Sequence, residues 1–431
     1  MTTPDVHRTI GAVWTMESPR IIARVARLVG DVGTAEELAQ DALVAALERW
    51  PGAGVPDNPG AWLMATARNR AIDLLRRRDR LARKHDQVGH ELEVRRQIAE
   101  SASGGAPEPD EDVGDDLLRL MFIACHPVLS RPARVALTLR LLGGLTTAEI
   151  ARAVLVPEPT IAQRIVRAKR TLAAARVPFE LPPRDELGPR LASVLEVIYL
   201  VFNEGYAATA GDDWLRPELC SEALRLGRVL AALAPEEPEV HGLVALMEIQ
   251  ASRTRARTGP RGEPVLLLDQ NRGLWDWAQI RRGLAALERA EGLGGSPGPY
   301  TLQAAIAACH ARARAAADTD WARIADLYGA LARVSPSPVV ELNRAVAVSM
   351  ASGPAAGLAL VDRLAGEPAL AGYHLLPSVR GDLLSKLGRH AEARRELERA
   401  ASLTRNARER TLLLARAARA AGAAATPDRR T

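Results

Sequence analysis

Residues 146–176 read TTAEIARAVLVPEPTIAQRIVRAKRTLAAAR, a stretch that contains two helical patterns separated by two prolines. In the second pattern, apolar residues recur at steps of four, three and four. At about 100° per residue they make one narrow stripe. The stripe consists of Ile161, Ile165, Ala168 and Leu172. Polar side chains cluster nearly opposite, namely Thr160, Gln163, Arg164, Arg167 and Arg170. The second pattern therefore predicts a helix with one buried edge and one basic face.

The first pattern predicts a short, capped helix just before the basic one. Its inward residues are Ile150, Ala151 and Val154, and Thr146 or Thr147 is its cap. Pro157 and Pro159 lie where the next helix begins, a position that tolerates proline. Two short helices joined by a tight turn predict a helix-turn-helix, whose second helix enters the major groove. Lys169 flanks the basic face and suits a phosphate. The alternative is a solvated basic helix without a DNA partner.

A second basic face lies in residues 58–80, NPGAWLMATARNRAIDLLRRRDR. At helical spacing, apolar residues share one side and polar residues share the other. The polar side carries Thr66, Asn69, Arg70, Asp73, Arg76, Arg77 and Arg80. Such a cationic face suits a phosphate backbone, and the amides and hydroxyl among the cations can hold unstacked bases. Trp62 is expected in the core, with stacking on a base as the alternative.

The composition predicts an all-α protein. Hydrophobic residues make up 47% and aromatic residues only 3% of the 431 residues, and no convincing period-two strand is present. The net charge of +5 indicates a mild preference for anionic partners. The three cysteines, Cys125, Cys220 and Cys309, are too far apart for a CxxC metal site and form no disulfide framework. We therefore expect no metal and no cofactor, and we expect the Cys125–His126 and Cys309–His310 pairs in helix packing.

Changes in composition divide the chain into four parts. In the first, Thr34 is the predicted N-cap of the second helix, Pro51 follows the end of that helix, and a long helix starts near Ala61. The second part contains SASGGAPEPDEDVGDD, which is typical of an acidic flexible linker. The third part holds the helix-turn-helix, and the fourth reads as helix after helix. The four parts are residues 5–82, 83–114, 115–177 and 187–421.

The fourth part carries a repeat signal in LLPSVRGDLLSKLGRHAEARRELERAASL, residues 375–403. Small and apolar residues there fall at the spacings of a tetratricopeptide repeat (TPR), a helical pair of 34 residues. They are Gly381, Leu384, Gly388, Ala393, Leu397 and Ala400. ELNRAVAVSMASGPAAGLALVDRL, from Glu341, reads as a degenerate copy. We therefore predict a TPR-like solenoid with a protein or peptide partner, whereas residues 187–299 are predicted only as helical.

The two basic motifs together resemble the extracytoplasmic-function (ECF) group of bacterial sigma-70 family RNA polymerase sigma factors. AEELAQDALVAALERW and GAWLMATARNRAIDLLRRR are similar to region two of that family. LTLRLLGGLTTAEIARAVLVPEPTIAQRIVRAKRTL is similar to its region four, and an acidic linker between the two fits the family. VFNEGYAATAGDDW and ELNRAVAV resemble the subgroup with a long, TPR-like C-terminal extension.

The resemblance implies a non-enzymatic factor that binds core RNA polymerase and directs transcription initiation at promoter DNA, with an extension that regulates activity or binds a partner. Region two would contact the polymerase clamp through Glu37, Gln40, Asp41 and Leu43. It would hold the melted −10 element through Asp57, Asn58, Thr66, Asn69, Arg70, Asp73, Arg76, Arg77 and Arg80. Region four would contact the duplex −35 element through Thr160, Gln163, Arg164, Arg167, Lys169 and Arg170.

Two other functions stay open on the sequence alone. A one-component regulator would combine the helix-turn-helix with a ligand-sensing repeat region and would not bind polymerase. An enzyme would need a convergent polar site, and neither a nucleophile–base pair nor a phosphate loop is apparent. The best candidates for such a site are Asn203, Glu204, Tyr206, Asp212 and Asp213.

Two further expectations concern location and exposure. The opening MTTPDVHRTI lacks the layout of a signal peptide, and no apolar run is long enough to span a bilayer. A cytoplasmic protein without a membrane partner is therefore expected. The basic stretch RTRARTGPRGEP, residues 253–264, is expected to be a solvent-exposed connector, with a contact to DNA or polymerase as the alternative.

Overall fold

The computed structural model describes residues 3–85, 110–154, 156–206, 215–260, 263–404 and 406–425. In these ranges the regular structure is helical apart from isolated bridge residues, such as the pair Thr258 and Pro264, which confirms the all-α prediction. None of the helices described is both long and apolar enough to cross a membrane. Most of the predicted linker, residues 86–109, lies outside the described ranges.

The helices form two compact units, Met1–Val197 and Ile198–Thr431, and the division falls inside one helix, α8. Short 3-10 turns fill part of the loop between α10 and α11. The α-helices are α1 (Thr3–Val29), α2 (Val32–Ala53), α3 (Pro59–His85), α4 (Asp110–Ala124), α5 (Arg131–Leu141), α6 (Thr147–Val154), α7 (Glu158–Ala174), α8 (Arg184–Tyr206), α9 (Pro217–Leu233), α10 (Pro238–Ala251), α11 (Trp277–Gly292), α12 (Pro299–Arg312), α13 (Trp321–Val334), α14 (Pro338–Ser352), α15 (Pro354–Leu364), α16 (Leu375–Lys386), α17 (His390–Leu403) and α18 (Ala407–Ala425).

The first three helices pack through the small side chains of α2. Alanines recur on its inner face at one-turn spacing, and their small size lets neighbouring helices lie close. The buried set is Ala35, Ala39, Ala42 and Ala46. At the end of this face Trp50 is buried and meets Trp62 of α3 edge to face, with 5.4 Å between the ring centroids. Trp62 therefore contacts the core, as expected.

Both predicted ends of α2 are wrong. The N-cap is Asp31, whose carboxylate accepts hydrogen bonds from the backbone N–H of Thr34 at 2.6 Å and from its hydroxyl at 2.7 Å. Thr34 therefore lies in the first turn and supports the cap rather than forming it. Pro51 does not stop the helix, although it lacks the backbone N–H of one helical hydrogen bond. The helix ends at Ala53, and Gly54 follows with a φ of 87°.

The predicted helix-turn-helix is present as α6 and α7. Thr146 caps α6 in a reciprocal box: its hydroxyl accepts from the backbone N–H of Glu149 at 3.2 Å, and the Glu149 carboxylate accepts from the Thr146 N–H at 2.8 Å. Pro157 precedes α7, and Pro159 lies in its first turn. The residues that α7 buries are Ile161, Ile165, Ala168 and Leu172, the stripe predicted from the sequence.

Buried ion pairs join α1–α3 to α4–α7 within the first unit. Glu36 of α2 is only 2% exposed. Its carboxylate oxygen Oε1 lies 2.6 Å from Nε of Arg140, and the carboxylate also forms an ion pair with the ammonium of Lys169. A second buried carboxylate, that of Asp116 in α4, forms an ion pair with Arg24 of α1, with 3.3 Å between Oδ2 and Nη1. Because a buried carboxylate needs cationic partners to offset its lost hydration, these pairs hold the two helical groups in one arrangement.

The helix pairs of the second unit pack closely where the repeat signal places glycine. A Cβ atom added at Gly381 of α16 would lie 2.9 Å from the side chain of Leu397 in α17. In the degenerate copy, a Cβ at Gly357 of α15 would collide with Ser349 of α14. The turn between α16 and α17 contains Gly388 at a φ of 74°. The helical character of this part is confirmed, whereas its assignment to the TPR class stays a prediction.

The cysteines occupy packing positions, as expected. Burial raises the pKa of the Cys125 thiol to about 11 and that of Cys220 to about 12, so both stay protonated at neutral pH. The Cys125 thiol lies 3.4 Å from the hydroxyl of Thr138. Across the described ranges, no group of three or more His, Cys, Asp or Glu side chains is arranged to hold a metal ion.

Candidate nucleic-acid interface

The cationic face of α3 is open to solvent over most of its length. Residues 66–80 hold six arginines against two aspartates. The nearest carboxylates are loosely held, since Arg70 lies 3.4 Å from Asp41 and Arg76 lies 3.9 Å from Asp73, with both carboxylates exposed. Exposed pairs of this kind contribute little free energy and can exchange for phosphates. The exposed members of the face are Asn69, Asp73, Arg76, Arg77 and Arg80, and the half-buried members are Thr66 and Arg70.

The loop before α3 places two further predicted contacts. Asp57 and Asn58 are both exposed. The side-chain oxygen of Asn58 accepts the backbone N–H of Ala61 at 3.0 Å and so caps the helix. The helix therefore starts at Pro59, two residues before the predicted Ala61, because proline suits the first turn. Asn58 thus has a structural role in addition to the predicted contact with a base.

The basic face of α7 lies opposite its buried stripe. Arginine and glutamine side chains on the exposed face of a second helix have the length and donors to reach base edges in a major groove. The exposed members are Thr160, Gln163, Arg167 and Arg170, and the half-buried members are Arg164 and Lys169. Lys169 is engaged with the buried carboxylate of Glu36, so its predicted contact with a phosphate competes with this ion pair.

The outer face of α2 carries both charged and apolar side chains. The predicted polymerase contacts Glu37 and Asp41 are exposed, and Gln40 and Leu43 are half-buried. The sequence reasoning missed Val44 and Leu47, which are 50% and 39% exposed on the same side. Their positions in the sequence could have indicated this, because 44 and 47 lie at one-turn spacing from 37, 40 and 41 and therefore on the same side of the helix. Exposed apolar side chains rimmed by charges are typical of a protein-binding surface.

Of the five residues considered for an enzyme site, the structure describes Asn203, Glu204 and Tyr206. Those that the structure describes make contacts that hold the fold, and Asp212 and Asp213 lie outside the described ranges. The contacts are Asn203 with the hydroxyl of Tyr199, Glu204 with Arg216, and Tyr206 stacked on Phe202.

Family models match three segments of this chain. Residues 14–81 match sigma-70 region 2, and residues 119–172 match sigma-70, region 4. The first segment contains α2 and nearly all of α3, and the second contains α6 and most of α7. Residues 190–291 match a family of unknown function, DUF6596.

Relatives cover both the whole chain and its first part. An uncharacterized protein of Rhizobium meliloti (strain 1021) is 45% identical over 392 residues, which are 91% of each chain. The ECF RNA polymerase sigma factor SigK of Mycobacterium tuberculosis (strain ATCC 25618 / H37Rv) is 30% identical over 162 residues, 36% of this chain and 78% of SigK. The probable ECF RNA polymerase sigma factor SigI of the same strain is 26% identical over 185 residues, 41% of this chain and 59% of SigI. The chain therefore belongs to the ECF group of sigma-70 family RNA polymerase sigma factors.

Proposed function

We propose that this chain binds core RNA polymerase and directs it to start transcription at particular promoters. One compact unit has two cationic faces, on α3 and on α7, and buried apolar residues lie behind each of them. This observation is the main support for the proposal. The matches to sigma-70 regions 2 and 4 lie on these same two helices. The factor acts by binding and positioning, without a catalytic step of its own.

In this proposal α3 holds the opened −10 element. Arg76, Arg77 and Arg80 neutralise phosphates of the separated strand, and Asn69 and Thr66 offer hydrogen bonds to its exposed bases. Each single-strand phosphate that is neutralised steepens the salt dependence of binding by about 0.7 in log–log slope. Asp57 and Asn58 precede the helix, where a base turned out of the strand would meet them.

The helix-turn-helix reads the −35 element as duplex. Gln163, Arg164 and Arg167 of α7 lie on the face that enters the major groove, with Thr160 at its start and Arg170 toward the backbone. A good bidentate contact to a base edge discriminates against the wrong base by about 1–3 kcal/mol. Lys169 joins the phosphate contacts once its pair with Glu36 opens.

The helical C-terminal part regulates this activity or binds a partner. Its closely packed helix pairs, seen at Gly381 and Gly357, support a TPR-like arrangement. Such repeats bind peptides or proteins along one surface of the stack. The extension is therefore proposed to pass a signal to the first unit, and the boundaries proposed for the parts remain residues 5–82, 83–114, 115–177 and 187–421.

Reversing charge on α2 is expected to weaken binding to core polymerase. The double variant Glu37→Arg/Asp41→Arg places two cations on the proposed docking face, and we expect the Kd for purified core enzyme to rise about tenfold or more. Fluorescence anisotropy of the labelled full-length chain measures this Kd. The matched control, Glu288→Arg/Glu291→Arg, makes the same charge change at exposed positions of α11 and should bind like the unmodified chain.

Binding to core polymerase also separates the proposal from a one-component regulator. If the unmodified chain binds promoter duplex tightly by itself and does not bind core enzyme, the regulator is the correct function. If the α2 variant and the α11 control weaken core binding equally, the α2 face is not the docking surface.

A further inference from the structure

The loop between α10 and α11 buries three arginines, contrary to the expectation that its basic stretch is an exposed connector. Arg253, Arg257 and Arg272 are 8%, 6% and 9% exposed. The prediction was wrong because aromatic rings of the second unit cover these side chains. Arg257 lies over the ring of Tyr206, 3.5 Å from its centroid, and Arg272 lies 4.5 Å from the centroid of Trp275.

Two of the three guanidinium groups have structural acceptors at the ends of helices. Arg257 donates to the backbone carbonyl of Tyr206, the last residue of α8. Nη1 of Arg272 donates to the carbonyls of His310 at 2.5 Å and Ala313 at 2.7 Å, where α12 ends. A cation at a helix C-terminus satisfies the last carbonyls and opposes the helix dipole. Their burial is thereby partly explained.

Arg253 has no such explanation. Its guanidinium faces the rings of Tyr206 and Trp275 at 5.9 Å and 6.0 Å from their centroids. In the part of the chain that the structure describes, Nε of Arg253 is buried without a hydrogen-bond partner, and no carboxylate forms an ion pair with its guanidinium. A buried cation without a counter-charge is strongly unfavourable, and proteins normally pair it.

Unpaired polar atoms gather around the same place. Nε of Arg253, Nη2 of Arg272 and Nε1 of Trp275 are buried without a hydrogen-bond partner, and all three can only donate. Nδ1 of His310, whose imidazole lies close enough to feel the charges of Arg253 and Arg272, is buried and unpaired as well. Burial and the charges of Arg253 and Arg272 lower the pKa of His310 to about 4, so this imidazole is neutral at neutral pH.

We propose that Arg253, Arg272 and Trp275 form a binding site for an oxyanion, the phosphate or carboxylate group of a small molecule. Guanidinium forks match the geometry of both groups, and charge-assisted hydrogen bonds to them are the strong ones. One bound oxyanion would supply the missing counter-charge and would accept hydrogen bonds from the three unpaired donors. The second unit then contains a ligand site within the region that the proposed function treats as regulatory. The site is tested without polymerase or DNA, so a negative result would contradict the anion site and would leave the proposed function unaffected.

Thermal unfolding of the full-length chain in inorganic phosphate tests the site. Phosphate is titrated against chloride at constant ionic strength, and a parallel series uses acetate to distinguish a phosphate site from a carboxylate site. A ligand that binds only the folded chain raises Tm with concentration. We expect one of the two series to raise Tm saturably, and Arg253→Met to weaken the fitted Kd about tenfold or more.

Two further variants separate binding from folding. Arg255→Met removes an exposed arginine two positions away and should keep the full response. Trp275→Phe keeps an aromatic side chain, although a smaller one, and removes the Nε1 donor, so it should fold and yet respond several-fold more weakly. In chloride alone, Arg253→Met should unfold at the same temperature or higher, because it removes an unpaired buried charge. The site is overturned if neither anion raises Tm. It is also overturned if Tm rises equally in the unmodified chain and in Arg253→Met, since an equal rise would mean general stabilisation by excluded salts.

Discussion

Replacing Arg76 and Arg77 of α3 together with alanine is expected to abolish most promoter opening by polymerase that carries this factor. Both side chains are exposed on the face proposed to hold the −10 strand. A hydrogen bond to a charged group contributes about 1.5–3 kcal/mol, so losing two should lower open-complex formation about a hundredfold or more. Permanganate footprinting of the melted −10 region and run-off transcription both measure this loss.

The neighbouring Arg78 provides the matched control. It is exposed like Arg77 but lies about 100° around the helix, outside the polar face. Arg77→Ala alone should reduce opening about tenfold, whereas Arg78→Ala should reduce it less than about twofold. The Arg76/Arg77 variant should also bind with a shallower salt dependence, by about 1.4 in log–log slope. Equal effects at Arg77 and Arg78 would show that α3 contributes only general positive charge.

Replacing Glu36 with alanine is expected to loosen α7 from α2. The Glu36 carboxylate is the shared partner of Arg140 and Lys169 and also accepts Nε2 of Gln40 at 2.5 Å. Removing one member of a buried ion pair typically costs about 3–5 kcal/mol, because the remaining charge is left without compensation. Hydrogen exchange of the full-length chain should therefore speed up about a hundredfold or more in peptides from α6 and α7.

The adjacent exposed carboxylate, Glu37, is the control for this experiment. Glu37→Ala should leave exchange in α6 and α7 unchanged, since its side chain points to solvent. The triple variant Glu36→Leu/Arg140→Leu/Lys169→Met should recover much of the protection, because apolar groups of similar size can replace a buried ionic cluster. Unchanged exchange in Glu36→Ala would mean that the cluster does not hold the helix-turn-helix against α2.

The local features of α6 and α7 could be predicted from the sequence because short-range rules decide them. The stripe beginning at Ile161 follows from helical periodicity, and the box between Thr146 and Glu149 from capping chemistry. The cap at Asp31 was missed because Asp31 and Thr34 are both good N-caps. The course of the backbone decides which of the two side chains accepts a hydrogen bond from a first-turn N–H. Helix ends are generally the least certain part of such predictions.

Long-range contacts could not be predicted in the same way. Glu36 reads as one of several acidic residues at the start of α2, and its partner Arg140 lies 104 positions away. Likewise Arg253 reads as part of a basic connector until the rings of Tyr206 and Trp275 are brought over it. Burial of a charge depends on tertiary packing, which no local pattern encodes. The exposed Val44 was missed for the same reason, since apolar positions on a helix are normally assigned to the core.

Run-off transcription on a pool of genomic promoter fragments is the decisive test of promoter selection by this chain. Core RNA polymerase is incubated with the pool in the presence and absence of the full-length chain, and the 5′ ends of the transcripts are sequenced. We expect discrete start sites that require the chain, each preceded by shared −10 and −35 elements, and their loss with Arg76→Ala/Arg77→Ala. The same set of start sites with and without the chain would contradict the proposed function.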